Sequence, residues 1–439
     1  KVYFIGMTGD KYAGPRNDGL PPFEWGEGEQ DGLLITPLHS LHKELGAKMV
    51  GFAGYDMPVW YSSVTEEHLA TRKSAGLFDV THMGVFDAEG PGAAAFLNAV
   101  TTNDVMSLAV GDSHYTYMLD IYGIPLDDLM IYHLAEEHFL IVVNASNNDK
   151  NWAWLNEVKS HRVLLDPTCP QRRVESTDRF VLRDLRDPSS GEDQRVDVAL
   201  QGPKSKDILL ALEGSDADKA KIKALKWAEV THVHLGGFDL IVSRTGYTGE
   251  RTAFELFVHP DHAAALFRTL IGAGAVPAGL AARDSLRTEA GLPLYGHELA
   301  GDLNLNPADA GFASYVKLSK PFFVGKSAFI KHEQEREAEV VRFRLDNKGV
   351  RPPHQGDPLV DKRGRVVGIV TSCSIDSEGY QLGQAYVKDD YTTEGTPLAV
   401  FAGGSHVKGG KADVKLGDKL TLPEPVTVLS RMPKAKKNM

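Results

Sequence analysis

Asp127 and Asp128 stand side by side between a Gly/Pro break, Tyr122-Gly123-Ile124-Pro125-Leu126, and an apolar run, Leu129-Met130-Ile131-Tyr132. Strand side chains alternate between two faces, so a strand opening there turns at least one carboxylate toward a core. A carboxylate aimed inward has to be hydrogen-bonded, shift its pKa or serve chemistry. An exposed hairpin with both acids capping its turn accommodates the same residues. The surrounding sequence decides between the two.

Downstream and upstream segments argue for an α+β body with mainly antiparallel pairing. Ser63 and Glu66 form a capping box that predicts a helix from Val64 to Ala75, stopped by Gly76. Gly92 to Val100 reads as a short helix. Asp128 to Leu134 and His138 to Val143 read as a hairpin turned at Ala135-Glu136-Glu137, and a helix follows from Asn148 to Val158. Val196 to Leu200, Lys204 to Leu212, and the pair Val230 to Leu235 and Phe238 to Ser243 around Gly236-Gly237 repeat strand, helix and hairpin. Beyond Phe322 the texture changes to short strands, Val341 to Leu345, Val366 to Thr371, Gln384 to Val387 and Leu398 to Phe401. Their spacing predicts a small all-β barrel or sandwich from about residue 335 onward.

With 439 residues, 42% of them hydrophobic, the chain has material for two or three domain cores. A net charge of -11 argues against a nucleic-acid partner, and no stretch is apolar enough to span a bilayer. Cys169 and Cys373 are too few for a disulfide scaffold or a cysteine zinc site, so a reducing compartment fits. The first 35 residues mix Gly, Pro and acids and read as an extension or linker; Pro433-Lys434-Ala435-Lys436-Lys437 reads as a solvated basic tail. Phosphate-loop, zincin, serine-elbow and dinucleotide signatures are missing from the sequence.

Arg244-Thr245-Gly246-Tyr247-Thr248-Gly249-Glu250 leaves one strand through two glycines and returns as Phe254-Glu255-Leu256-Phe257-Val258. Glu255 takes either the solvent face, which alternation alone favours, or an inward position where a carboxylate grips an N-C-N edge such as that of a pterin. Arg283, Arg287 and Ala290 share one face of a helix spanning Gly279 to Gly291, with Asp284 and Glu289 as local ion-pair partners or with an arginine free to hold a ligand. His82 and Met83 lie beside a strand. His232 and His234 share a strand face without a suitably spaced third ligand, so both read as structural and no metal site is expected.

Taken in order, these segments resemble the aminomethyltransferase (T-protein) of the glycine cleavage system and the wider folate-dependent aminomethyltransferase and demethylase superfamily. The resemblance runs from Thr36 to Met432. It is carried by Gly51 to Tyr61, Glu67-His68 with Arg72, Gly76 to Met83, Asp127-Asp128-Leu129, Val143-Asn144-Ala145, Leu200-Gln201-Gly202-Pro203, Arg244 to Glu250, and Leu280 to Gly291 with Leu294-Tyr295-Gly296. Departures include Arg251-Thr252-Ala253 in the loop before Glu255 and Gly123-Ile124-Pro125 where a Gly-Gly turn is common.

The resemblance implies a three-domain cloverleaf around a central folate channel, with mainly antiparallel sheets, helices and a small C-terminal β-barrel. Residues 36–86 with 170–300 would form the folate-binding α+β domain, 87–169 a second α+β domain, 301–334 a connecting segment and 335–439 the barrel, after an extension at 1–35. It implies Asp127 as the catalytic residue beside the reacting nitrogens, Glu255 on the pterin edge, and Arg283, Tyr115, Met83 and Asn144 around tetrahydrofolate. The expected activity moves the one-carbon unit of an aminomethyl-dihydrolipoyl carrier protein, the H-protein, to tetrahydrofolate with release of ammonia. A folate-dependent demethylase acting on a small sulfonium, amine or aryl ether is the alternative, and a non-catalytic folate-binding module a third reading. The expected compartment is the cytoplasm, or the mitochondrial matrix after presequence removal.

Overall fold

The computed structural model describes residues 19–26, 28, 31–403 and 422–433. The basic tail beyond Pro433 and most of the N-terminal extension lie outside these residues. Two compact units are resolved: one runs through Gly246 and adds Glu250–Ala282 and Ser314–His332, and the other comprises Tyr247–Gly249, Arg283–Ala313 and the chain from Glu333 onward.

In the first unit, β1 (Lys48–Phe52) and β2 (Tyr55–Trp60) pair as a ribbon. They are followed by β3 (Gly76–Asp79), β4 (Gly84–Glu89), β5 (Ser113–Leu119), β6 (Pro125–Ala135), β7 (His138–Val143), β8 (Val181–Asp184), β9 (Val196–Gln201), β10 (Val230–Leu235), β11 (Phe238–Ser243), β12 (Ala253–Val258) and β13 (Val276–Ala278). These build a six-stranded sheet ordered β10-β11-β12-β9-β3-β13 and a five-stranded sheet ordered β5-β6-β7-β4-β8. Pairing is antiparallel throughout both sheets except between β13 and β3.

The helix Pro260–Gly272 opens with a proline in its first turn and buries Ala263, Leu266, Phe267 and Leu270. That i, i+3, i+4, i+7 stripe is what a one-sided core requires, and it packs on Leu77, Val198 and Leu256 of the six-stranded sheet. One face of the five-stranded sheet, with Phe86, Ile131 and Ile141, takes Phe96 and Leu97 from the helix Ala93–Val100 and Trp154 and Leu155 from the helix Asn148–Lys159. Its other face, with Val85, Tyr132, Leu140 and Val142, meets Val230 and Phe257 of the six-stranded sheet.

Three details depart from expectation. Strand β6 begins at Pro125, so the two aspartates lie inside a strand rather than at its mouth. Proline is tolerated there because it is the first strand residue. The capped helix ends at Lys73, with Ser63 Oγ accepting the Glu66 N–H at 3.3 Å, and Gly76 starts β3 instead of ending the helix. Gly202 follows β9 at φ 132°, and a Cβ there would press on the carbonyl oxygens of Thr71 and Ser74. Gly202→Ala is expected to destabilise the first unit by about 1–3 kcal/mol, seen as a lower thermal midpoint. An unchanged midpoint would show that this turn relaxes freely.

The second unit holds a closed barrel of β14 (Ala338–Leu345), β15 (Pro358–Val360), β16 (Val366–Ile375), β17 (Gln381–Lys388), β18 (Pro397–Val400) and β19 (Glu424–Leu429), in the order β14-β17-β16-β15-β18-β19. Closure decides the barrel over the sandwich. Val341, Phe343, Leu345, Val370, Ala385, Val387, Val426 and Val428 fill it. The overall class is therefore α+β with mainly antiparallel sheets and a C-terminal barrel. No helix among the described residues is long and apolar enough to cross a membrane.

Candidate active site

Strand β6 separates the two aspartates onto opposite faces. Asp127 shares its face with Leu129 and Ile131, and it has no exposed surface. Its Oδ1 accepts hydrogen bonds from Asn144 Nδ2 at 2.8 Å and Asn147 Nδ2 at 2.7 Å. Its Oδ2 accepts the Asn144 backbone N–H at 3.0 Å and Asn151 Nδ2 at 2.6 Å. Four N–H donors thus occupy the roughly four acceptor positions of one carboxylate.

Asp128 is half-buried and lies on the other face, with Met130 and Tyr132. The register sets Tyr117 opposite Asp128 and Tyr115 opposite Met130 on β5. Tyr115 Oη donates to Asp128 Oδ2 at 2.7 Å, and Asn144 Nδ2 donates to Asp128 Oδ1 at 2.8 Å. Asn144 therefore bridges both acids. The Tyr115 ring is held edge-on by Tyr117 and by Tyr315, each with centroids 5.1 Å away.

Burial, reinforced by the neighbouring Asp128 charge, raises Asp127 to about 7 against the pull of Asn144, Asn147 and Lys150. Burial raises Asp128 as well, opposed by the Tyr115 and Asn144 hydrogen bonds. Adjacent carboxylates in a dry site resist joint ionisation, so one proton is readily retained near neutrality.

Glu255 on β12 is half-buried, which corrects the solvent-facing orientation that alternation alone favoured. Tyr132 Oη donates to its Oε2 at 2.9 Å, and Thr245 Oγ1 donates to the same oxygen. Tyr132 comes from the face that also bears Asp128, so Glu255 is tied to that face of the five-stranded sheet. Met83 and Met130 each pack against the same apolar layer. Asp128, Tyr115, Asn144, Met83 and Glu255 are thereby collected in the first unit. Arg283 belongs to the second unit, where its guanidinium lies 5.0 Å from the Tyr247 ring centroid.

Sequence reasoning missed Tyr132, Thr245, Asn147, Asn151 and Lys150. A usable signal existed: Asn144, Asn147 and Asn151 recur at i, i+3 and i+7, the spacing of one helical face. His232 and His234 do meet a third group, since Asp239 across the hairpin brings Oδ1 within 2.5 Å and 3.1 Å of their Nε2 atoms. Arg195 also pairs with that carboxylate at 2.9 Å, which leaves the cluster a surface charge network. Asp87, Glu89 and His138 bring three ligand-type atoms within 4.8 Å of one another, and Arg183 sits on Asp87 where a cation would have to be.

A GCVT N-terminal domain model matches residues 38–320. An aminomethyltransferase of Chloroherpeton thalassium is 39% identical over 82% of this chain and 92% of its own length. One from Symbiobacterium thermophilum is 40% identical over 86% of this chain and 96% of its own. The solved glycine cleavage system aminomethyltransferase T of Bartonella henselae superimposes with a TM-score of 0.73 at 30% identity, covering 91% of this chain and 97% of that one. The chain belongs to the aminomethyltransferase family that the GCVT N-terminal domain defines.

Proposed function

We propose that the chain carries out the tetrahydrofolate-dependent step of the glycine cleavage system, moving the one-carbon unit of the aminomethyl-dihydrolipoyl H-protein to tetrahydrofolate with release of ammonia. The observation that supports this best is the buried acid pair joined by Asn144, with Tyr115, Met83 and Glu255 gathered on the Asp128 face. The fit to a folate rests on Glu255: both hydroxyl donors use Oε2, and among the described residues Oε1 receives no hydrogen bond. A half-buried carboxylate oxygen left in that state suits an N–H edge. When bound, tetrahydrofolate supplies the nitrogens that take the carbon and give up two protons, which leave with ammonia and the lipoyl thiol.

The family resemblance assigns the catalytic position to Asp127. The hydrogen bonds favour a division of labour, in which Asp128 meets the ligand and Asp127 stands behind it as a caged charge. Asp128 would stabilise positive charge developing on a nitrogen or accept its proton. Asn144 and Tyr115 fix the orientation of that carboxylate, and Met83 lines the same face. For Arg283, a folate contact is supported by the resemblance alone. We place the reaction in the cytoplasm, consistent with two unpaired cysteines.

The direct test incubates the chain with aminomethyl-loaded H-protein and tetrahydrofolate and follows methylenetetrahydrofolate and ammonia. Absence of both would overturn the reading. Glu255→Gln is expected to raise KM for tetrahydrofolate about 10- to 100-fold with a smaller change in kcat, the size of one lost charge-assisted hydrogen bond. An unaltered KM would remove Glu255 from the binding site.

A further inference from the structure

We propose that Lys150, acting through Asn147, is a positioning residue that fixes both the orientation of the Asp127 cage and the ionisation of the Asp127–Asp128 pair. Lys150 Nζ donates to Asn147 Oδ1 at 2.9 Å, and Asn147 Nδ2 donates to Asp127 Oδ1 at 2.7 Å. An amide whose oxygen is held by an ammonium has to turn its NH2 the other way. Without that hold, Asn147 can rotate by half a turn and set its own oxygen against the carboxylate. The lysine therefore selects the one amide orientation that Asp127 tolerates.

Charge adds to orientation. Asp127 and Asp128 are adjacent on β6; Lys150 from the helix Asn148–Lys159 acts by its charge on Asp127, and Tyr115 from β5 hydrogen-bonds Asp128. The remaining contacts are neutral amides of Asn144, Asn147 and Asn151. Lys150 is thus a cation that works on Asp127 against burial and the Asp128 charge, in a dry setting where charge pairs act strongly. Removing it disfavours the anionic form of the pair and moves its titration to higher pH. The consequence for turnover rests on the proposed aminomethyl transfer; the consequence for ionisation does not.

The test uses the full chain in four forms: the native sequence, Lys150→Met, Lys150→Gln and Lys150→Arg. Carboxyl titration is read by infrared spectroscopy on protein labelled with 13C at the aspartate carboxyl, with the pair assigned by the bands lost in Asp127→Asn and Asp128→Asn. In parallel, kcat is measured against pH with loaded H-protein and tetrahydrofolate. Lys150→Met is expected to raise the titration midpoint of the pair by about one pH unit. The acid limb of kcat should move up by the same amount, so that turnover falls roughly 3- to 10-fold at neutral pH and recovers in alkaline buffer. Lys150→Arg retains the charge and should keep the native midpoint. Lys150→Gln retains a donor for Asn147 without the charge, and its midpoint should rise as in Lys150→Met; it carries the test if Lys150→Met does not fold. A midpoint that stays at the native value in both neutral variants overturns the proposal, whatever the turnover. A shifted midpoint in a protein that makes no methylenetetrahydrofolate upholds the proposal and rejects the proposed reaction instead.

Discussion

Asp128→Asn is expected to lower kcat by about a hundred- to ten-thousand-fold, with the dissociation constant for tetrahydrofolate changed by only a few fold. The substitution is nearly isosteric. With its amide oxygen toward Tyr115 Oη, the new NH2 meets one donor, Asn144 Nδ2, so a limited local adjustment accompanies the loss of the negative charge. What disappears is the group able to stabilise charge that develops on the attacking nitrogen, which is present only as the reaction proceeds. Asp127→Asn should behave differently. In either orientation its new NH2 would face two donors, the Asn144 and Asn147 amides in place of Oδ1, or the Asn144 backbone N–H and the Asn151 amide in place of Oδ2. Donor against donor in a site without exposed surface costs stability as well as turnover. Steady-state kinetics together with calorimetric folate binding separate the two cases, and native turnover in Asp128→Asn would remove it from the chemistry.

The second large effect concerns stability. Arg287 is 1% exposed and Glu298 is fully buried, joined through Nη1 and Oε2 at 2.8 Å. Arg287 Nη2 also donates to Ser372 Oγ at 2.7 Å, while Glu298 accepts Thr371 Oγ1 at 2.5 Å and the Leu294 N–H at 3.0 Å. Glu298→Ala leaves a guanidinium, a hydroxyl and an N–H without that carboxylate. We expect the second unit to lose about 3–5 kcal/mol, because the guanidinium keeps the half-exposed Asp284 but loses its buried counter-charge, which is costlier than a missing pair. Burial alone would raise the Glu298 pKa, but Arg287 and the Thr371 and Ser372 hydroxyls outweigh it and hold it below the usual value. A lowered folded-state pKa stabilises above the unfolded pKa and loses that contribution as pH falls. The gap between native and Glu298→Ala midpoints should therefore be full near neutrality and close in acid. Unfolding followed at two pH values checks both statements; a loss below about 1 kcal/mol near neutrality would mean that the network relaxes around the gap.

Periodicity made the hairpins, the capped helix and the change to short strands legible, because each is a local pattern. It stopped where partners are distant. Alternation required Asp127 and Asp128 to face opposite ways, yet which face holds the asparagine cage depends on β7 and the following helix. Glu255 looked solvent-facing because Tyr132 and Thr245, which hold it, are 123 and 10 residues away. Arg287 was paired in prospect with Asp284 and Glu289. Asp284 does contact it, but the buried partner is Glu298, beyond the helix end. Strand β15 escaped notice because it has three residues and opens with Pro358, and β19 because it carries Pro425, residues that ordinarily argue against a strand.

The barrel carries a consequence for how the chain tolerates damage. Strand β19 is hydrogen-bonded on one side to β14 and on the other to β18. Every strand of the closed ring has two neighbours, so none offers an open row of N–H and C=O groups. A chain shortened before Glu424 would expose two such rows at once, each a template for a strand from another molecule. Loss of β19 together with the residues after it would thus make the chain prone to join its copies through those two edges.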